Sequence, residues 1–230
     1  MTEKLYLQER IDIMGAHENR ARFAEVLVQL GQAQPEGAPW QQIGVWILIG
    51  MTGRWQRTLG LWEWADGWEG FSAAVESQMI RPEPALAHTY ENVEGLRSGG
   101  ECFLMNPGSG CPTRADLVKL GVKGSLLIYE RATVAPGSEE EFCEAVRSQF
   151  APVAEGHGYR LVGNYTAAMV DGLVFTLWTC ERHQHTALAR SAEAVEWRSA
   201  RQKWTTSWQQ ELWVAAAGSP LAGSETARKF

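Results

Sequence analysis

The feature that most constrains this chain is that it repeats itself once. Leu5 to Gly15, LYLQERIDIMG, resembles Leu126 to Gly137, LLIYERATVAPG, and both stretches carry a Glu-Arg pair, Glu9-Arg10 and Glu130-Arg131. Three more matches follow in the same order. Ile43-Gly44 matches Val162-Gly163, Leu61-Trp62 matches Leu177-Trp178, and Glu101 to Ser109 matches Glu211 to Ser219. Shared order argues for two tandem copies of one unit: residues 1–112, a linker over 113–123, a second unit over 124–222 and a tail over 223–230.

Periodicity gives each copy the same element order. Apolar and polar residues largely alternate in Leu5–Ile13, as in a half-buried strand, and a turn leads into an amphipathic helix carrying Phe23, Val26, Leu27 and Leu30. A Pro- and Gly-containing loop then precedes a hairpin of strands Ile43–Ile49 and Arg57–Trp64. Asp66 can cap a second helix, and a strand around Glu101–Met105 ends the unit. The second copy predicts a strand over Leu126–Val134, a helix over Ser138–Ala154, strands over Arg160–Ala168 and Leu173–Cys180, a helix, and a strand over Glu211–Ala215. Within its last helical region, Ser191–Trp208, a stripe of Trp197, Arg201, Trp204 and Trp208 has helical spacing. The order in both copies is βαββαβ, the ferredoxin-like split unit.

This pattern, with the LYLQERIDIMG, LLIYERATVAPG, LWEW and LWTC motifs, resembles the dimeric α+β barrel superfamily and, within it, NIPSNAP-like tandem proteins. The resemblance implies an α+β fold in which two tandem ferredoxin-like units pair their sheets into an intramolecular dimeric-type α/β barrel. Helices would cover the outside, with a ligand held between sheets and helices. The chain would be a monomer with an internal pseudo-dimer, or a homodimer. Sheet physics agrees, because a four-stranded sheet covered by helices on one face needs its other face buried.

Composition narrows the partners. A net charge of −6 over 230 residues argues against a surface built for phosphates, so nucleic acid is not expected. The longest apolar run, IGVWILIGM, is too short to span a bilayer, and the first residues do not read as a secretory leader, which makes the cytoplasm the expected compartment. Cys102, Cys111, Cys143 and Cys180 lack metal or disulfide spacing. No nucleotide-binding, serine-hydrolase or zinc-protease motif occurs.

The candidate chemistry rests on a few side chains. Eleven tryptophans form an unusually large aromatic store, which either fills the core or walls a cavity for a hydrophobic small molecule. Trp62, Trp64 and Trp178, with Tyr129 and Trp204, are the candidate ligand-binding residues. Trp62 and Trp64 share one strand face and Glu63 lies on the other. If the Glu63 face meets the second sheet, the tryptophans pack against helices and Glu63 becomes the residue to test. Glu9 and Glu130 are candidate acids or bases, since desolvation would raise their pKa values. Tyr6 and Tyr129 lie on the opposite face from those glutamates. His157, in EGHGY, is the third catalytic candidate. His183 and His185 would chelate a metal only from a loop, and His17 and His88 read as surface residues.

The resulting expectation is a small-molecule enzyme without a bound cofactor or metal, acting by proton transfer on a hydrophobic, aromatic or polycyclic metabolite. Isomerisation, cyclisation and cofactor-independent oxygenation are the reactions implied by the resemblance. Haem occurs in relatives of the fold, but no axial-ligand motif supports it here. The alternative is a non-catalytic ligand-binding or scaffold protein of the same fold.

Overall fold

The computed structural model describes residues 4–16, 18–35, 37–52, 55–81, 91 and 93–226. The readings of His17, His88 and most of the stretch after Arg81 concern positions outside the described residues.

In the first unit, β1 (Leu5–Ile13) is followed by α1 (Asn19–Gln32), the hairpin β2 (Trp40–Leu48) and β3 (Arg57–Trp64), α2 (Gly67–Val75) and β4 (Arg97–Pro107). A short helix, α3 (Arg114–Lys119), opens with a Thr113–Asp116 capping box. The second unit contains β5 (Leu126–Val134), α4 (Glu139–Ala145), a π turn (Val146–Phe150), α5 (Ala151–Gly156), β6 (Arg160–Ala167) and β7 (Leu173–Cys180). It ends with α6 (Arg182–Ala189), α7 (Ala192–Ala200), a 3-10 turn (Arg201–Lys203) and β8 (Thr205–Ala215).

The strands close into one barrel in the order β1-β3-β2-β8-β5-β7-β6-β4. Two short ladders join the units: Trp46–Leu48 of β2 pairs with Trp213–Ala215 of β8, and Met105–Pro107 of β4 pairs with Tyr165–Ala167 of β6. The fold is therefore α+β, with two tandem ferredoxin-like units forming an intramolecular dimeric-type barrel.

One stretch departs from its expected period. The helix expected over Ser191–Trp208 ends at Ala200, and β8 begins at Thr205. Trp208 is thus a strand residue, paired with Ala132 of β5. Extending that ladder satisfies backbone donors and acceptors, and this outweighs a helical spacing carried by four side chains. Arg201 keeps its contact with Trp208 across the helix–strand boundary, its guanidinium carbon 3.5 Å from the ring centroid.

An eight-stranded barrel has an interior just wide enough for side chains to fill. Here Tyr6, Trp46, Tyr129, Tyr165, Phe175 and Trp213 are buried together inside it. The matched glycines explain part of the fit. Gly44 and Gly163 follow equivalent register shifts in β2 and β6, and a Cβ on either would overlap the ring two residues later, Trp46 or Tyr165. Only glycine leaves room for those rings.

The repeated Glu-Arg pair divides between the two faces of its strand. Arg10 points into one end of the barrel, with its side chain 4% exposed, and donates to both carboxylate oxygens of Glu211 at 2.9 Å and to Glu101 at 3.2 Å. Arg131, its counterpart, reaches Glu101 at 3.5 Å. Arg57 pairs with Asp12 at 2.6 Å and lies 3.9 Å from Glu211. Each repeated arginine thus meets the repeated glutamate of the other unit.

Removing one member of a buried pair strands the other charge. Urea unfolding should show Glu211→Gln and Arg10→Met each losing about 3 kcal/mol, with the double variant losing clearly less than the sum. Additive losses would mean that the pair does not couple. Gly163→Ala should lose about 1–3 kcal/mol by overpacking against Tyr165, and unchanged stability would contradict that packing.

Candidate functional site

The closed barrel decides which faces meet. Glu63 faces the interior and is 8% exposed; its carboxylate accepts from the Tyr6 hydroxyl at 3.1 Å and from the Arg114 backbone N–H at 2.7 Å. Trp62 and Trp64 face outward, where Trp62 packs in the layer under α1 and Trp64 sits with Leu5 and Ala74. Trp178 packs in the equivalent outer layer of the second unit, edge-on to Phe150 with ring centroids 5.5 Å apart. Tyr129 lies inside the barrel beneath the Arg10 guanidinium, 4.8 Å from its ring centroid, and burial pushes its phenol pKa up to about 12.

Glu9 and Glu130 occupy equivalent outward positions with different surroundings. Glu9 accepts from the Trp62 indole N–H at 2.9 Å, and burial raises its pKa. Glu130 accepts from the Gln210 amide at 2.9 Å and sits at the wall of a recess between the sheet and α6–α7. Burial pushes its pKa up to about 7, against the lowering pull of Gln210 and the nearby Arg201 charge. Its ionisation is therefore poised near neutrality.

The recess is assembled from elements distant in sequence. Tyr159 precedes β6, His185 lies on α6, Trp197 and Arg198 on α7, and Arg201 on the turn that follows, while Trp208 and Gln210 come from β8. The Tyr159 hydroxyl lies 2.6 Å from His185 Nδ1. Burial lowers the His185 pKa and raises that of Tyr159, so the pair is neutral at physiological pH. The π turn aims Phe150 at Trp197, stacked at 5.3 Å, and this pair forms the apolar back of the recess. The cavity volume is about 60 Å³, room for a few waters where pockets for drug-sized ligands span roughly 300–1,000 Å³.

Of the other sequence candidates, His157, His183 and Trp204 lie outside this recess. His157 follows α5 as its C-cap. Trp204 donates to Glu141 at 2.9 Å and packs against Phe142 and Trp197. His183 and His185 are two positions apart on α6 and so point apart. Among the described residues, no group of three or more His, Cys, Asp or Glu side chains is placed to hold a metal ion. No described helix is long and apolar enough to cross a membrane. Tyr159, Arg201 and Gln210 were not among the sequence-based site residues; the Arg201–Trp208 spacing is the one sequence signal that pointed toward them.

Neither a protein-family model nor a curated protein matches the sequence. The fold has counterparts among solved structures. A proposed monooxygenase from Lactobacillus acidophilus NCFM superposes with a TM-score of 0.64 at 10% identity, over 98% of this chain and 100% of that one. An anthrone oxidase-like protein superposes with a TM-score of 0.63 at 12% identity, over 99% and 95% of the two chains. These likenesses are of fold alone.

A further counterpart corrects the expectation of no bound cofactor. The Rhodococcus jostii RHA1 DypB R244L variant, in complex with heme, superposes with a TM-score of 0.52 at 9% identity, over 93% of each chain. The fold therefore houses a haem in at least one protein, and fold alone gives no warrant for a cofactor-free chain. The outer layer of the second unit, packed with Phe142, Phe150, Trp178 and Trp197 around a 60 Å³ recess, does not fit a macrocycle as folded. No step is assigned to such a group here.

The raised pKa of Glu130 makes stability depend on pH in a definite direction. Between the ordinary carboxylate range and about 7 the folded protein binds the extra proton, so stability is highest at the acid end of that window and falls as pH rises through 7. The loss is at most about 3 kcal/mol. Glu130→Gln should abolish it, so thermal unfolding should show the variant gaining more at about pH 8 than at about pH 5. An equal effect at both pH values would show that Glu130 titrates normally.

Proposed function

We propose that this chain is a small-molecule enzyme of oxidase or monooxygenase type that works by proton transfer at Glu130. The observation that carries the proposal is a buried carboxyl with a pKa of about 7 at the wall of an aromatic recess. A base must hold its proton loosely near the working pH, and this carboxyl does. The oxidase-type class is supported by the fold shared with a proposed monooxygenase and an anthrone oxidase-like protein. The substrate is an aromatic carbon acid. Glu130 removes a proton from a carbon conjugated with the carbonyl, adjacent to it or through a ring, and the electron-rich carbanion left behind passes its electrons to molecular oxygen, the oxidant. As packed the recess admits only water-sized molecules, so an aromatic substrate requires α6 and α7 to move off the sheet, with Trp197 and Trp208 beside the bound ring.

Oxygen uptake with aromatic ketones, from phenylacetone to anthrone, tests this. At least one should be consumed, and Glu130→Gln should lower kcat by roughly 10²–10⁴ while leaving KM within a few fold. The rate should rise with pH through about 7 and level off, because the ionised carboxylate is the base. Of the other groups at the recess, burial shifts Tyr159 upward and His185 downward, so the rise belongs to Glu130. An inert wild type, or an active Glu130→Gln, would sink the proposal. The small recess favours a second reading, a binding protein, which saturable ligand binding without turnover would support.

A further inference from the structure

We infer that the recess selects a substrate bearing a carboxylate and that Arg201 is the counter-charge that selects it. This rests on reading the recess as a substrate site and adds the class of molecule it takes. The first observation is charge balance. In a chain of net charge −6, two guanidinium groups, Arg198 and Arg201, converge on a recess with a single carboxyl, Glu130. Even with that carboxyl ionised, two guanidinium groups leave the recess net positive.

The second observation is partnership. Arg10, Arg57 and Arg131, the arginines around the barrel mouth, all reach carboxylates. Among the described residues neither Arg198 nor Arg201 forms a salt bridge. Arg201 is nonetheless half-buried; desolvation lowers its pKa against the opposing pull of Glu130, so that with Glu130 protonated its charge is held at a disadvantage that a bound anion would relieve.

The third observation is orientation. Arg201 lies over the Trp208 ring with its guanidinium carbon 3.5 Å from the centroid. Stacking holds the guanidinium by its face and leaves its N–H donors at the edge, in the planar fork that matches a carboxylate. Trp208 and Arg201 both line the recess. A ring carrying a carboxylate would set its acid group on Arg201 and its apolar body against the aromatic wall. Arg198, which is exposed, adds field at the entrance.

Benzoate and benzamide, matched in shape and different in charge, test this when titrated into the full-length protein and followed by NMR of the tryptophan indole N–H groups. At about pH 6, where Glu130 is protonated, benzoate should bind at least roughly tenfold more tightly than benzamide and move the Trp208 signal, identified with Trp208→Phe. Arg201→Gln should bring benzoate to the level of benzamide and leave benzamide unchanged. Arg201→Lys should keep part of the preference, because the charge remains and the planar fork does not. Equal affinity for the pair, a preference that survives Arg201→Gln, or no binding of benzoate would each overturn the inference. Its failure is separable from failure of the proposed reaction. A charge preference without oxygen uptake keeps the inference and removes the reaction; turnover of neutral ketones without a charge preference does the reverse.

Discussion

The closed barrel depends on a buried guanidinium shared between two copies of one sequence unit. Arg10 comes from the first strand of the first unit, while Glu211, both of whose oxygens accept from one Arg10 nitrogen, comes from the last strand of the second. Neither unit could satisfy that charge in this way alone, and an Arg10 buried without its carboxylates would be strongly destabilising. The cluster therefore ties closure to register. A slip of one residue in β8 would turn Glu211 to the opposite face and leave Arg10 unpaired. Glu101 and Arg131 repeat the arrangement with the roles of the units exchanged, although more openly. The same four positions of the two copies thus meet one another across the units.

Closure has a second consequence, which concerns where chemistry can occur. The interior is filled by Trp46, Tyr129, Tyr165, Phe175 and Trp213, so the inward face contributes packing. The recess beside Glu130 lies in the outer layer, between sheet and helices. There the two units differ in how they treat the same carboxyl. Glu9 is bonded to the Trp62 indole, whereas Glu130 is bonded to Gln210 and borders a recess. An indole N–H and an amide both favour the ionised form, yet burial outweighs them in both units. The units therefore share a buried acid, and the helices over the second unit add Arg201, His185 and Trp197 beside it.

The repeat, the βαββαβ order and the barrel were legible in the sequence because each rests on local periodicity or on matches between the copies. Which face of β3 turned inward was not legible. Alternation states that Trp62 and Trp64 share a face and Glu63 does not, but the direction of that face is set by contacts with the second sheet. The end of α7 was misplaced for a related reason. Trp204 and Trp208 continue a helical spacing, while the β5–β8 ladder claims Trp208 for a strand, and a ladder partner remote in sequence leaves no local trace. Glu9 and Glu130 were visible as a repeated pair. Tyr159, Arg201 and Gln210 were not, because they reach the recess from separate elements.

The same reasoning limits what fold likeness can say about chemistry. A barrel of this kind accompanies heme in one counterpart, and an anthrone oxidase-like protein has it as well. The strands hold the layer between sheet and helices at a fixed place, and the side chains entering that layer decide what it can contain. In this chain the layer over the second unit is closed by a stack of Phe150 on Trp197, and Phe150 is aimed there by a π turn that interrupts the helix around it. Phe150 also meets Trp178 edge-on, so one ring braces the sheet and the helix at once. Any molecule much larger than water would have to separate those contacts. The size of what this protein can admit is therefore set less by its barrel than by how readily α7 parts from Phe150.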